Sequence, residues 1–166
     1  MTSASAIKIN NSGKIEQRLS ELSIKLPEAT KPPAKYVPYT ISGNTVFVSG
    51  QLPLLEGKMQ VAGQLGKDVS IEQGQQTAKN CGLNMLAHLR AACNGDLDRV
   101  KKVLKLEILV SSAPGFIEQH VVANGVSNFI VDLFGDEVGS HARVAYGVAG
   151  LPLGAAVEVA GTFEIK

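Results

Sequence analysis

The sequence predicts an α+β protein in which two long helices cover one face of a mixed β-sheet. The chain has 166 residues, of which 45% are hydrophobic and 17 are glycine, and this suits a compact domain with many turns. Two segments repeat apolar residues at three- and four-residue steps, whereas the segments around them alternate apolar and polar residues. The resulting order, ββ(β)αβαββ after an additional helix, is typical of a two-layer sandwich.

Residues 1–34 are expected to form an extension that carries one short helix. Ser12 is expected to cap this helix, and Pro27 is expected to end it. The apolar positions of the helix are Ile15, Leu19, Leu22 and Leu26. We expect the helix to pack on the sheet edge or on a neighbouring subunit, and residues 35–166 to form the domain.

The domain is predicted to open with a β-hairpin. Residues 36–41 and 45–49 have the composition of strands, and the Ser42-Gly43-Asn44 segment between them is a tight turn. A loop follows, in which residues 59–61 are a candidate short strand.

The first long helix is predicted from a capping box. Ser70 and Gln73 have the Ser-x-x-Gln spacing in which each side chain bonds the other's backbone, so the helix begins there and continues to about Asn94. Gly95 is expected to end it. His88 within this helix is interpreted as a surface or rim residue.

The second half of the domain is predicted as a strand, a helix and a final strand pair. Residues 103–110 form the predicted central strand, and residues 116–134 form the second helix, which Gly135 ends. The Asn124-Gly125 pair in the middle of this helix is unusual, since Gly disfavours helix by about 1 kcal/mol relative to Ala.

The final strand pair brings together two charged residues. Residues 142–148 and 155–165 are predicted strands around a turn that contains Pro152. Arg143 lies on the first strand and Glu158 on the second, so the two side chains are expected to meet at one end of the sheet. The alternative is an exposed ion pair, which would contribute roughly 0–1 kcal/mol and perform no chemistry.

Alternation in the last strand indicates its two faces. Val157 and Val159 fall on one side and Glu158 on the other. If residues such as these valines occupy the sheet face without helices, self-association is expected to cover them.

Composition limits the classes of partner. The formal net charge is +1, aromatic residues make up 5% of the chain and tryptophan is absent, so nucleic acid is not a favoured partner. No apolar run is long enough to predict a membrane span or a leader, and a cytoplasmic protein is expected. His88, His120 and His141 are scattered without metal-ligand spacing, so neither a metal nor an organic cofactor is expected.

Two short motifs resemble one family. Val48-Ser49-Gly50-Gln51-Leu52-Pro53 resembles the N-terminal signature of the RidA/YjgF family of enamine/imine deaminases. Ala142-Arg143, Leu151-Pro152 and Val157-Glu158-Val159 resemble its C-terminal signature. The resemblance runs from about Tyr36 to the end of the sequence. It implies a chorismate-mutase-like fold and a homotrimer whose sheets form an inner barrel, with sites in the clefts between subunits.

The resemblance also implies a reaction and residues for it. The substrates are 2-imino acids or their enamine tautomers, such as 2-aminoacrylate or 2-iminobutanoate, and the products are 2-keto acids and ammonia. Arg143 would bind the substrate carboxylate through its planar fork. Glu158 would position a water and handle its proton. Ser49 and Gly50 would orient the imine.

Some assignments stay open or depart from the family pattern. Tyr36 matches the site tyrosine of the family, with Tyr39 as the alternative, and either residue can instead be a packed strand aromatic. The helix asparagine of the family corresponds to Asn124 or Asn128. Ala145 stands where members often have a cysteine, and His141 replaces a proline, which indicates a divergent subgroup.

Two other functions compete with deamination. One is a regulatory trimer that holds a small carboxylate through Arg143 without converting it. The other is an RNA-directed role, since relatives have been described as endoribonucleases or translation inhibitors. The near-neutral charge and the scarcity of aromatic residues argue against the second.

Overall fold

The computed structural model describes residues 7–166, which form one α+β domain. Its helices are α1 (Lys14–Glu21), α2 (Ile71–Ala92) and α3 (Gln119–Gly139). Its strands are β1 (Tyr39–Ser42), β2 (Thr45–Gln51), β3 (Leu54–Leu55), β4 (Lys58–Met59), β5 (Val100–Ser111), β6 (Ala142–Val148) and β7 (Val157–Ile165). Among the described residues, no helix has both the length and the apolar character that a membrane span requires.

Five strands form one mixed sheet in the order β1-β2-β7-β5-β6, and β3 and β4 form a separate small hairpin. β5 and β6 are parallel, and the other pairs in the sheet are antiparallel. α2 packs over β2 and β7, while α3 packs over β5 and β6. The predicted two-layer arrangement of a mixed sheet and two long helices is therefore confirmed.

The buried face of β7 is the face that the helices cover. Its inward side chains are Val157, Val159, Gly161, Phe163 and Ile165. A Cβ on Gly161 would lie 2.7 Å from the Met85 sulfur on α2, so this glycine lets the helix approach the sheet. The valines are thus covered by their own chain, and the expectation that self-association would cover them is wrong.

Within residues 7–166, no helix covers the other face of the sheet. Phe47, Val144 and Tyr146 project from it and are exposed. Phe47 alternates with the buried Val46 and Val48, because successive side chains of a strand point to opposite faces. One chain therefore leaves an apolar surface open on this side.

Local signals explain the two long helices. Ser70 and Gln73 form the predicted capping box: the Gln73 amide donates to Ser70 Oγ (3.1 Å) and the Ser70 amide to Gln73 Oε1 (2.9 Å). Gly125 has a packing reason, because a Cβ there would overlap the Gln75 carbonyl oxygen of α2. At Gly135 the backbone of α3 leaves the helical region (φ 78°), as the predicted end requires, and a further turn follows.

α1 differs from its prediction at both ends. Ser12 does not cap it, since its hydroxyl donates to Asn10 Oδ1. The cap is Asp98, whose two carboxylate oxygens accept from the backbone amides of Lys14 (2.8 Å) and Ile15 (2.9 Å). The helix ends at Glu21, well before the proline expected to end it.

α1 packs against α3 and the turn at residues 97–99, and not against the sheet edge. Its Leu19 is fully inside the core. Glu16 pairs with Arg90 of α2 at 3.2 Å, and both side chains are largely buried. The N-terminal helix is therefore an integral part of the packed chain.

The cap from Asp98 predicts a measurable loss of stability. Asp98→Ala leaves two backbone amides of α1 without a partner, and we expect the free energy of unfolding to fall by about 1–2 kcal/mol. Urea unfolding followed by circular dichroism measures this. Asp132→Ala, which removes an exposed carboxylate from α3, is the control, and an equal effect of both substitutions would contradict the role of Asp98.

Candidate functional site

Arg143 and Glu158 do not meet within one chain. β5 lies between β6 and β7, with Arg143 opposite Leu106 and Glu158 opposite Leu109. Paired residues share a face, and positions three apart on one strand face opposite sides. Two strand spacings and three residues separate their Cα atoms by roughly 14 Å. The expectation that these side chains meet at one end of the sheet of a single chain is therefore wrong.

Glu158 projects into a cavity of about 400 Å³, which we call the Glu158 cavity. It lies between the end of β2, α2, the segment before β1 and the turn before β7. The lining residues are Thr30, Lys31, Pro32, Pro33, Tyr36, Pro38, Gly50, Gln51, Leu52, Leu54, Asn84, His88, Pro152, Leu153 and Glu158. Most of this wall is apolar.

The position of Glu158 depends on Gly50. The pairing of β2 with β7 shifts register between Val48 and Gln51, and Gly50 lies inside this bulge. A Cβ at Gly50 would overlap Glu158 Oε1, so only glycine allows the carboxylate to lie there. Burial raises the pKa of the Glu158 carboxyl above its ordinary value.

Two residues of α2 complete the polar part of this cavity, and the motifs did not reveal them. Asn84 Nδ2 donates to the carbonyls of Leu52 (3.0 Å) and Leu54 (2.8 Å), which fixes the chain after β2. His88 is only 4% exposed, so its interpretation as a surface or rim residue is wrong. Burial lowers its pKa, and its Nδ1 has no hydrogen-bond partner among the described residues. Their four-residue spacing, which places both on one helix face, was the available signal.

The two tyrosine alternatives have different positions. Tyr36 lies before β1, is 56% exposed and lines the Glu158 cavity. Tyr39 begins β1 and packs against the core. Ser49 is outside the cavity lining: its hydroxyl donates to the Val37 carbonyl at 2.8 Å and holds the segment that carries Tyr36.

Arg143 lies on the helix side of β6, in a cluster with residues of α3 that we call the Arg143 cluster. Its Nη1 donates to Asn124 Oδ1 (2.9 Å) and Ser127 Oγ (3.2 Å), and its Nη2 donates to the His120 carbonyl (3.3 Å). Asn128 instead lines a separate cleft near the end of α1. The structure thus brings Asn124, and not Asn128, to the arginine.

These contacts leave one edge of the guanidinium open. These three bonds come from Nη1 and Nη2, while within the described chain the Nε of Arg143 bonds no protein acceptor. The Nε and Nη2 groups form one edge of the guanidinium with parallel donors, the geometry that binds a carboxylate. Arg143 is exposed, so the fork is accessible to a ligand or to another chain.

His141 fixes the arrangement of the cluster. Its Nδ1 lies 2.6 Å from the Gly139 carbonyl, which can only accept, so Nδ1 carries the hydrogen. Nε2 then accepts from the Ser127 hydroxyl at 3.0 Å, and a lone pair of that oxygen is left for Arg143. Burial lowers the pKa of His141, and the nearby Arg143 and Lys102 lower it further, against the opposing bond to Gly139.

Within the described residues, neither the Glu158 cavity nor the Arg143 cluster brings metal ligands together. Within residues 7–166, no three His, Cys, Asp or Glu side chains come together as ligands of a metal ion. Ala145, which stands where a family cysteine is common, lies two residues after Arg143 and packs partly against the core.

The chain has close relatives in sequence and structure. Protein TCP17 of Trypanosoma cruzi is 49% identical over 155 residues, which cover 93% of this chain and 96% of that protein. The crystal structure of Atu1372 from Agrobacterium tumefaciens, a protein with unknown function, is 49% identical, covers 92% of each chain and has a TM-score of 0.85. A putative endoribonuclease from Shewanella oneidensis is 32% identical, covers 91% and 99% of the two chains and has a TM-score of 0.86.

A family model described as YjgF/chorismate_mutase-like, putative endoribonuclease, matches residues 16–163. The match begins inside α1, before the stretch from Tyr36 in which the two signature motifs lie. Since it spans most of the sequence and agrees with the relatives in both sequence and fold, the chain belongs to the YjgF/chorismate-mutase-like family.

Proposed function

We propose that the chain hydrolyses reactive 2-imino acids and their enamine tautomers to 2-keto acids and ammonia. The observation that most supports this is the pair of incomplete half-sites: a desolvated carboxylate in a cavity, and a guanidinium with a free two-donor edge. A carboxylate substrate with a C=N bond requires both groups. Such an activity would remove imines that pyridoxal-phosphate enzymes release and so protect metabolism.

Arg143 would bind the substrate carboxylate through its open fork. Asn124 and Ser127 hold the other side of the guanidinium, so the fork is oriented before the substrate arrives. Pre-orientation lowers the entropy that binding must otherwise overcome. Tyr36 and the Gly50 backbone, both at the Glu158 cavity, would flank the imine.

Glu158 would manage the proton. As a carboxylate it accepts a proton from water while the water oxygen bonds to the imine carbon and the C=N electrons move to nitrogen. It then returns the proton to nitrogen, which gives a carbinolamine. In a second transfer it takes the proton of the carbinolamine hydroxyl as the C=O bond forms and passes it to the nitrogen, which leaves as ammonia when the C–N bond breaks. Burial raises the pKa of this carboxyl, which makes it a stronger base in the first step.

The two half-sites would meet between copies of the chain. Within one chain they face opposite sides of the sheet. Phe47, Val144 and Tyr146 offer an apolar surface for association on the open face, where a homotrimer would bury them. The cleft between two copies would then hold Glu158 from one and Arg143 from the other.

The names of relatives raise a second function, the cleavage of RNA. The site features favour deamination, because burial and the nearby Arg143 and Lys102 lower the pKa of His141 and the net charge of the chain is only +1. Incubation of the same protein with RNA at several salt concentrations tests this alternative. Salt-dependent binding with cleavage would favour it.

The central prediction concerns Arg143. With 2-aminoacrylate or 2-iminobutanoate generated enzymatically, we expect the wild type to accelerate keto-acid release and Arg143→Ala to reduce the acceleration by about 100-fold or more. Arg143→Lys keeps the charge without the fork and should be intermediate. Arg18→Ala, an exposed arginine of α1, is the matched control. A fully active Arg143→Ala protein would overturn the proposal, and binding of keto acid without acceleration would leave a carboxylate-binding regulator.

Sharing of the site between copies predicts complementation. Arg143→Ala and Glu158→Gln should each be inactive, but a protein refolded from an equal mixture should regain about a quarter of the wild-type activity if random trimers form. One functional cleft in each mixed trimer gives this fraction. No recovery, with mixed oligomers verified by mass spectrometry, would show that both residues act from the same chain.

The burial of Glu158 predicts that its carboxylate lowers the stability of the folded protein. Above its raised folded-state pKa the carboxylate is ionised in both the folded and the unfolded state, and only the folded state keeps it from water. Glu158→Gln should therefore raise the melting temperature by about 1–3 °C. As pH falls towards the ordinary value of 4.5, the folded protein takes up the proton first and the gain should vanish.

Calorimetry at the two pH values measures this difference. Glu164→Gln, on the same face of β7, is the control and should give no such rise. A lower melting temperature for Glu158→Gln at pH 7.5 would mean that the carboxylate is stabilised by a partner.

A further inference from the structure

The Glu158 cavity is large for the smallest imines. A water occupies about 30 Å³ of liquid, so a space of about 400 Å³ would hold roughly a dozen waters. A three-carbon substrate such as 2-aminoacrylate would fill only part of it. Beside the Arg143 of a second copy, the unfilled part would hold either retained water or a larger substrate side chain.

The wall of this unfilled part is apolar, and much of it comes from a segment that crosses α2 before β1. Pro32, Pro33 and Tyr36 belong to this segment, which the buried Leu26 anchors at its beginning. Their rings are stiff, so the wall keeps its shape without a ligand. Water retained against such a surface has few hydrogen-bond partners.

Leu153 closes the opposite side of the mouth. It is 73% exposed, and its φ of 58° lies in the left-handed region that leucine rarely adopts. Residues held in such conformations cluster at ligand sites. An apolar substrate side chain in the cavity would therefore cover the exposed Leu153 side chain.

Few polar groups of the cavity are free to bind a polar side chain: among the described residues the unpartnered Nδ1 of the buried His88 is one, and the amide donors are occupied. Asn84 uses both amide hydrogens on backbone carbonyls, and the Gln51 amide donates to the Ser49 carbonyl. Glu158 repels a second carboxylate. Lys31, on the segment before β1, is exposed, and water solvates it.

We infer, on the basis of the proposed deamination, that the chain acts preferentially on 2-imino acids with branched or aromatic apolar side chains, such as those from leucine and phenylalanine. Each methylene moved from water to an apolar wall is worth roughly fourfold in affinity. An isobutyl group in place of a methyl group should therefore raise kcat/KM by roughly 30- to 60-fold.

The test compares imines that differ only in the side chain. An amino-acid oxidase with catalase generates them from leucine, phenylalanine, 2-aminobutyrate and alanine, and the acceleration over spontaneous hydrolysis gives kcat/KM for the full-length protein. We expect the leucine- and phenylalanine-derived imines to exceed the alanine-derived imine by at least about 30-fold. Equal values, or a preference for the small imines, would overturn the inference.

Variants at the wall locate the preference. Leu153→Ala should lower kcat/KM for the leucine-derived imine by about fourfold or more relative to kcat/KM for the alanine-derived imine. Leu55→Ala, an exposed leucine of the neighbouring hairpin outside the cavity lining, is the matched control. Leu52→Trp narrows the cavity and should reverse the order of the two imines. Retention by both wall variants of the wild-type ratio between the two kcat/KM values would overturn the assignment to this cavity.

Titration calorimetry, which measures the binding of keto acids, separates this inference from the proposed function. We expect 4-methyl-2-oxopentanoate to bind at least about 30-fold more tightly than pyruvate. That result without imine hydrolysis would reject the deaminase and support the apolar cavity. Hydrolysis of all imines together with tighter binding of pyruvate would support the deaminase and reject the preference for large apolar side chains. If the protein neither binds the keto acids nor hydrolyses the imines, both proposals are rejected.

Discussion

The position of β5 between β6 and β7 is the constraint on which the site depends. Because strand side chains alternate, residues paired to Leu106 and Leu109 face opposite sides of the sheet. Arg143 therefore reaches α3, while Glu158 reaches the cavity at the end of β2. Catalysis that uses both groups requires a second copy of the chain. In the proposed function, activity therefore depends on assembly.

The two halves are held in place in different ways. The Arg143 cluster is a set of side-chain hydrogen bonds in which His141 orients the Ser127 hydroxyl and that oxygen accepts from the guanidinium. Glu158 instead lies where the backbone makes room, at a bulge that requires Gly50. Substitution of His141 should therefore loosen one half without disturbing the other, since among the described residues no hydrogen bond joins the two halves.

Local signals in the sequence predicted most of the fold, and long-range contacts account for what they missed. The capping box at Ser70 involves neighbours in sequence, so the sequence alone predicts the start of α2. The cap of α1 comes from Asp98, 84 residues from Lys14, and no local pattern indicates it. The burial of His88 likewise depends on a wall formed by a distant segment. Motif spacing identified Arg143 and Glu158 but not the strand that separates them.

Several features of the chain reduce its stability as a monomer, and all of them lie at the half-sites or on the open face. Within the described residues Glu158 is desolvated without an ion-pair partner, Leu153 adopts a left-handed backbone, and Tyr146 is exposed on the open sheet face. A second chain packed on that face would cover Tyr146, and its Arg143 would offset the desolvation of Glu158. Binding and assembly would therefore be coupled: a ligand that fills the Glu158 cavity should also stabilise the oligomer that completes it.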